Sequence, residues 1–392
     1  MGKPLGIGKI FLCFCLLSIL GWLMVYSAST YQLLQQGAHP TTLLIKQGVI
    51  MLISWGLMGL IFRVKLSFLF NQKLAGMLVV LSLLLLLFVR LPVFGVSVNG
   101  AQRWISIFGL QFQPSELGNF ALIYYLSCYF GKNPQPSTKQ QKMIPWLLLG
   151  ALCLLILLQP KVGGAILIFV VGSVMIFSST IPASFSLLAC GCGLILTAIA
   201  SKLVLFLGSK HYLPHFFTHV YNRLLVLKNP FDFFHDQGFQ PAMAYLAIHN
   251  GGFFGTGLAN GKVAKGGLPE SDTDFIFAII VEELGVVGGF VILFLLFFLA
   301  ASIIRASCKL KNHGYGLFLL GVGTWLMVQT AINLGGVLGL MPMTGMPLPF
   351  VSYGGTSYLI FSVALAIVMK IIVTERQECF IAKKTCQSSH EL

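Results

Sequence analysis

The sequence predicts an all-α polytopic membrane protein of about ten transmembrane helices, with a large extracytoplasmic loop between the seventh and eighth. Three observations predict it. Of the 392 residues 57% are hydrophobic and 9% charged, with mean hydropathy +0.88, against roughly a quarter charged in ordinary soluble domains. Apolar stretches near or above the length that crosses about 30 Å of hydrocarbon recur along the chain. The basic residues between them gather on one side. A soluble globular protein is excluded. A formal net charge of +14 usually raises nucleic acid as a partner. Here the charges lie between apolar runs, so membrane topology accounts for them and no nucleic acid is expected.

In order, the apolar stretches cover about 10–29, 43–62, 74–91, 115–130, 145–158, 163–181, 183–207, 275–304, 314–340 and 357–373. The fourth and fifth are short, and Pro182 is the clear break between the sixth and seventh. Ser27-Ala28-Ser29 could be cleaved as the end of a signal peptide, but about twenty apolar residues are long for one, and the first span reads as an anchor. An even number of spans puts both termini on one side. With the N-terminus inside, fifteen of the 25 basic residues become cytoplasmic, including Arg63, Lys65, Lys132, Lys139, Arg305 and Lys309. The nine cysteines fall in apolar runs or basic segments, so neither a disulfide framework nor a metal pattern follows. The chain reads as one membrane domain, 1–392, with a cytoplasmic tail at 374–392.

The outer segment 208–274 breaks this weave. Structureless loops of that length are usually functional or disordered, and its aromatic content, from Tyr212 to Phe254, argues against disorder. Short interfacial helices are expected. The first 231 residues hold a single acidic residue, Glu116, while the next 52 hold seven: Asp232, Asp236, Glu270, Asp272, Asp274, Glu282 and Glu283. Carboxylates in or near hydrocarbon are expensive, so the cluster marks a functional site on the outer face.

In PESDTDFIF, 269–277, the chain turns apolar directly after Asp274, which places that carboxylate at the membrane boundary. It can be reactive. It can be helix capping, with Ser271, Asp272 or Thr273 as N-cap and Asp274 in the first turn. It can hold a hard divalent cation together with Asp272 and Glu270. Glu282 and Glu283 fall further along the same helix on different faces and read as buried, hydrogen-bonded supports. In NGAQRWISIFGLQFQPSEL, 99–117, Arg103 with Trp104 can bind an anionic headgroup or form an aromatic belt with a snorkelling Arg. Glu116 reads first as a cap of the fourth helix. MPMTGMPLPFVSYGGTS, 341–357, is dense in Pro and Gly, a backbone tolerated at membrane depth only where it lines a cavity or is covered by protein. Its Ser352 and Tyr353 are the polar groups expected to face a ligand.

NGAQRWI, QPSEL, NPFDFFHDQGFQ, AIHNGGFFGTGL, LPESDTDFIFAIIVEELG and PLPFVSYGGTS, in this order, resemble the SEDS family of polytopic glycosyltransferases, whose branches are FtsW, RodA and SpoVE. The spacer GLANGKVAKGGLPES looks most like the FtsW branch. The resemblance implies a peptidoglycan glycosyltransferase that polymerises lipid II into glycan strands with inversion at the anomeric carbon, for septal wall synthesis at the division site. It implies the bacterial cytoplasmic (inner) membrane with both termini cytoplasmic, a class B penicillin-binding protein as transpeptidase partner, and other divisome membrane proteins. It carries the family's essential aspartate onto Asp274 as the catalytic residue. We add Arg103, Trp104, Arg223, Gln240, Lys161, Glu270, Ser352 and Tyr353 as substrate contacts, and Glu116, Glu282, Glu283, Gly354 and Gly355 as supports. No cofactor is certain. A divalent cation, Mg or Mn, on Asp272 and Asp274 stays open. The chain also departs from the family: QPKVGG stands where QPDLGT is common, Asn119 where a lysine often follows QPSEL, and Thr344 where some division-type members carry lysine.

Such a transfer needs a base near the acceptor hydroxyl, whereas a lipid diphosphate leaves without a proton and is helped by positive charge. One carboxylate in a basic outer surface suits that chemistry. A flippase for the lipid-linked precursor is the main rival, and a broken helix would favour it. A noncatalytic division scaffold is the other. The topology is directly testable: with cysteines introduced at Ser209 and Ser137 in a background without reactive native cysteines, an impermeant thiol reagent should label intact cells at Ser209. Labelling at Ser137 alone would invert the arrangement.

Overall fold

The computed structural model describes the chain apart from residues 1–5, 90–94, 99–100, 108–109, 135–137, 160, 181–201, 205, 211, 213–217, 266 and 389–392. Four helices open it: α1 (Ile7–Gln35), α2 (Thr42–Arg63), the single turn α3 (Leu66–Leu69) and α4 (Gln72–Phe88). A small sheet follows, β1 (Gly95–Val98), β2 (Ala101–Ile107) and β3 (Leu110–Phe112), then α5 (Pro114–Lys132), α6 (Lys139–Leu157) and α7 (Val162–Thr180). The outer segment contributes α8 (Thr218–Lys228), a 3-10 turn (Pro230–Phe233), α9 (Phe239–Gly251) and the single turn α10 (Lys262–Lys265). The chain ends in α11 (Ile276–Ser307), α12 (His313–Val337) and α13 (Gly355–Ser388).

Seven of the described helices are long and apolar enough to cross a membrane: α1, α2, α6, α7, α11, α12 and α13. The apolar α4 is shorter, and α5 is more polar because protein surrounds it: Glu116, Asn119 and Ser127 are all buried where α5 packs on α4, α7 and α12. The expected seventh span, 183–207, and the break at Pro182 lie almost wholly outside the described residues. α12 and α13 form the buried centre, with Trp325 stacked on Phe361 at 3.9 Å between ring centroids. The more peripheral α2 and α6 turn Leu52, Trp55, Leu60, Leu147 and Leu154 outward, as lipid-facing helices do. The Lys370 ammonium, from α13, donates to the carbonyls of Ile61, Phe62 and Val64 and so satisfies the C-terminal end of α2.

Two elements differ from the sequence expectation. The segment after the third span is not a plain loop but an antiparallel three-stranded sheet in the order β1-β2-β3, with Val96 opposite Trp104 and Ile105 opposite Phe112. Its alternation is short and interrupted by an irregularity between Val96 and Ser97, which weakens the strand signal in sequence. Thr356 at the start of α13 holds this sheet to the bundle, accepting from Gln113 N and donating to Gln111 O.

The second difference is a break in α11. Gly285 lies at φ 74° and ψ 177°, a conformation open essentially only to glycine. The groups freed there are taken up by the backbone that follows α9. Thr256 N and Gly257 N donate to the carbonyls of Glu282 and Glu283 at 2.9 and 3.0 Å, while Val286 N and Val287 N donate to Gly252 O and Phe253 O at 2.9 and 3.3 Å. The two backbones are in contact: a Cβ on Gly285 would lie 2.2 Å from Phe253 O, and one on Gly251 2.0 Å from Val281 O. Gly285→Ala should therefore cost about 3 kcal/mol or more, while Gly150→Ala, whose Cβ would meet open space on α6, should be neutral or slightly stabilising. Thermal melting of both variants in detergent measures the contrast, and equal melting temperatures would contradict this account of the break.

Candidate functional site

The outer ends of β2, α7 and α12, the turn before α11, and the segment between α12 and α13 meet around Asp274. Neither Ser271, Asp272 nor Thr273 caps α11: its N-cap is Phe275, without a side-chain cap. Ser271 Oγ instead donates to Ala28 O on α1 at 3.1 Å, and Thr273 Oγ1 to Glu270 Oε2 at 2.6 Å. Glu270 takes a positive φ of 56°, and its carbonyl accepts from Thr273 N and Phe275 N, so the turn is closed on itself. The capping reading of Asp274 is thus corrected, because the residue precedes the helix and leaves its carboxylate free of that role. Among the described residues that carboxylate accepts no hydrogen bond.

The backbone of Asp274 is fixed from behind. Asn333 Nδ2, on α12, donates both to Asp274 O at 2.9 Å and to Met346 O at 2.8 Å. Gln329 Nε2, one turn earlier, donates to Pro347 O at 3.0 Å. Ser352 Oγ donates to Thr273 O at 2.6 Å and accepts from Leu348 N, and Tyr353 N donates to Asp272 O at 2.8 Å. Ser352 is 3% exposed. It joins two turns and does not face a ligand, contrary to its assignment from sequence. Tyr353 is half-buried with its ring beside Asp272. Asn333 was not foreseen, although a polar side chain within an apolar span is a signal that could have found it.

Arg103 reaches the same centre from β2. Its Nε donates to Gln159 O at 3.0 Å, and Gln159 Nε2 in turn holds Leu86 O at 3.0 Å. An ideal Cβ on Gly345 would sit 3.5 Å from Asp274 Oδ2 and 3.8 Å from Arg103 Nη1, so carboxylate and guanidinium flank one glycine. Trp104 follows on the same strand, and the register passes from Trp104, opposite Val96, to Gln102, opposite Ser97, which leaves Arg103 as the extra residue of a bulge. Arg223, on α8, donates from Nη1 to Met343 O at 2.8 Å, and its charge acts on Asp274. Gln240 lies in the first turn of α9, half-buried, and none of its hydrogen bonds among the described residues reaches this cluster.

Six further assignments meet their geometry here. Lys161 is 2% exposed, donates from Nζ to Ser115 Oγ at 2.9 Å and lies 3.8 Å from Glu116 Oε1. Buried this deeply it does not touch a headgroup, which corrects its assignment as a diphosphate contact. Glu116 is 1% exposed and caps nothing, since α5 has no side-chain cap, and its oxygens face Lys161 instead. Glu282 accepts from Val263 N and Ala264 N at 2.8 and 3.2 Å, and Glu283 accepts Ser27 Oγ at 2.7 Å on both oxygens. Gly354 and Gly355 lead into α13. As for a metal, among the described residues no three His, Cys, Asp or Glu side chains converge as a cage would need. Asp272, 9% exposed, and Glu270, held by Thr273, do not complete one with Asp274.

Burial raises the Asp274 carboxyl from 3.8 to about 7, Glu270 beside it adds to the rise, and the Lys161 and Arg103 charges oppose it. Asp272 is raised to about 6, again by burial first. A carboxyl near 7 is half-ionised at neutral pH and free to accept a proton, the condition for a general base. Two guanidinium groups within its field can hold an anion. The arrangement is suited to removing a proton from a hydroxyl beside a bound diphosphate.

Residues 8–377 match the family described as FTSW_RODA_SPOVE, cell cycle protein. The chain is similar to the probable peptidoglycan glycosyltransferase FtsW of Enterococcus hirae, at 45% identity over 91% of this chain and 89% of that one. It is also similar to the protein of the same description from Lactococcus lactis, at 35% over 94% and 93%. Among solved structures it resembles a chain of a peptidoglycan synthase complex that coordinates polymerization and crosslinking, with TM-score 0.73, 27% identity and coverage of 94% and 98%. The rod shape determining protein RodA of Thermus thermophilus gives TM-score 0.65 and 26% identity over 93% of this chain and 96% of that one.

The raised carboxyl has a stability consequence. Asp274 binds its proton more tightly folded than unfolded, so its contribution to the fold is fully present below pH 4 and is lost as the pH rises through about 7. Asp274→Asn should melt higher than the parent at pH 8, by up to about 4 kcal/mol, with the gap closing toward pH 4. A variant that melts lower than the parent at pH 8 would contradict this burial.

Proposed function

The chain belongs to the FtsW/RodA/SpoVE family and is a multi-pass membrane peptidoglycan glycosyltransferase of the FtsW type, and we propose that it polymerises lipid II at the outer face of the cytoplasmic membrane with Asp274 as catalytic base. The observation that carries this reading is the Asp274 carboxylate itself. It is fixed through its backbone, free of hydrogen bonds among the described residues, raised to about 7, and set beside Arg103 across Gly345.

The acceptor sugar's 4-hydroxyl attacks C1 of the donor as Asp274 takes its proton. The C1–oxygen bond to the undecaprenyl diphosphate breaks on the opposite face, so the anomeric centre inverts, and the diphosphate leaves with the electron pair. No acid need protonate it. Arg103 and Arg223 supply the positive charge that stabilises its developing anion, and Arg103, tied to Gln159 O through Nε, places Nη1 beside the same glycine, Gly345, as Asp274 Oδ2. Trp104, Gln240 and Tyr353 line the approach for the sugars in this scheme. Glu270 sets the turn and raises the proton affinity of Asp274.

The active assembly is a complex with a class B penicillin-binding protein, alongside other divisome membrane proteins at the division site, with both termini cytoplasmic and 1–392 acting as one domain. Supporting it, α11 beyond Gly285 presents Phe290, Phe294 and Phe297 outward as a surface for a single transmembrane helix. The break in α11 is also the observation that favours a flippase. Its freed carbonyls and amides are bound by the 252–257 backbone, however, and offer nothing to a passing headgroup.

Purified chain reconstituted with lipid II and its transpeptidase should form glycan polymer, with activity falling as the pH is lowered through about 7 because the base must be ionised. Asp274→Asn, checked for folding by melting, should lose at least 10²-fold. Parental turnover by a folded Asn variant would exclude the base. Lipid II crossing vesicles without polymer would favour the flippase, and neither activity would favour the scaffold.

A further inference from the structure

We propose that the buried Glu116–Lys161 pair is a positioning device for the Asp274 base, in which Lys161 supplies the positive charge that keeps Asp274 ionisable and Glu116 holds that lysine in place. The inference rests on the reading of Asp274 as base.

The geometry is a continuous path from α5 to Asp274. Glu116 and Ser115 occupy the first turn of α5, and Lys161 Nζ bridges to them from the residue that precedes α7. Both charged side chains are at least 98% buried, and neither Glu116 oxygen has a hydrogen-bond partner. A pair so poorly satisfied is a weak contributor to stability, since desolvation offsets the attraction. Two residues beyond Lys161, Gly163 is packed against Thr344, with a virtual Cβ only 2.4 Å from Thr344 Cβ. The next residue, Gly345, abuts the Asp274 carboxylate and Arg103. Two residues before Lys161, the Gln159 carbonyl holds Arg103 Nε. The 159–163 segment therefore fixes both the guanidinium at the site and, across Thr344 and Gly345, a second positive charge behind it.

The charged groups around this centre come from every packed element. Lys161 faces Glu116 on α5, Arg103 on β2 and Asp274 before α11. Asp274 faces Glu270 and Asp272 on its own turn, Lys161 and Arg103, and Arg223 on α8. Two carboxylates push protons onto Asp274, so a compensating cation is required if the base is to be ionised at neutral pH. Position 119, one turn along α5, is occupied by Asn119, whose buried Oδ1 has no partner. In this chain the buried cation comes from the start of α7 and not from α5.

The test is the pH profile of glycan polymerisation by the purified chain with its transpeptidase. Lys161→Met should move the acidic limb upward by about half to one pH unit, as expected for a unit charge lost at this range, so that activity falls most at pH 7 and recovers toward pH 9. Glu116→Gln alone should not raise the limb. If Lys161→Met fails to fold because Glu116 is orphaned, Glu116→Gln with Lys161→Met removes the pair as a unit, which buried pairs tolerate better, and the limb should again lie higher than in the parent. A folded Lys161→Met variant, alone or combined with Glu116→Gln, that keeps the parental limb overturns the proposal, because a purely structural role lowers activity at all pH values alike. A parental limb that persists in Asp274→Glu at unchanged pH would instead remove Asp274 as its source, and this inference would fall with the base assignment.

Discussion

At membrane depth no water is available to a backbone or charged group that leaves a regular helix, so the protein itself must answer each one. The interruption of α11 at Gly285 is possible because the 252–257 backbone lies close enough to bond both of its ragged ends, and the glycines at 251, 255 and 285 exist to permit that approach. The Pro- and Gly-rich run before α13 obeys the same rule. Its carbonyls at Met346 and Pro347 are taken by Asn333 and Gln329 on the neighbouring helix. Lys370 does the equivalent service for the carbonyls at the end of α2. What looks irregular in the fold is irregular only where a neighbour closes the hydrogen bonds.

The site grows out of this scaffolding. Asn333 binds the Asp274 carbonyl and the Met346 carbonyl with one nitrogen, so Asp274 and the turn opposite it are held in fixed relation by a single side chain. Most polar groups nearby are spent in this way on backbone. Among the described residues that leaves the Asp274 carboxylate without a hydrogen bond, in an environment dry enough to raise a carboxyl to about 7. A carboxylate of that affinity takes a proton more readily than an exposed aspartate would, and the fold bears the cost of keeping it charged.

Much of this was legible in the sequence, and the failures have physical causes. Apolar runs separated by basic residues located nine of the described helices, because hydrocarbon thickness fixes a length that composition reports directly. The crowding of carboxylates after residue 231 located the site, because charge near lipid is too costly to be incidental. The small sheet was missed because three strands of four, seven and three residues carry too little alternation. Lys161, Glu116 and Ser352 were misassigned for a different reason. Residue type tells what a side chain can bind but not which way it faces, and all three are turned inward to partners distant in sequence, as with Ser352 and Thr273. The break in α11 was invisible because a glycine in an apolar helix reads equally as a packing contact.

The division of α11 also bears on how the chain enters the bilayer during synthesis. The part beyond the break, 286–307, is about 22 residues and so about 33 Å long, enough by itself to span the hydrocarbon. The translocation machinery therefore has a complete stop-transfer segment without residues 276–284. In the proposed topology Glu282 and Glu283 cross with the outer loop and need not be partitioned into lipid for the helix to be recognised. In that topology the nine residues before Gly285 lie in the outer compartment, where Glu283 docks on Ser27 of a helix made long before it.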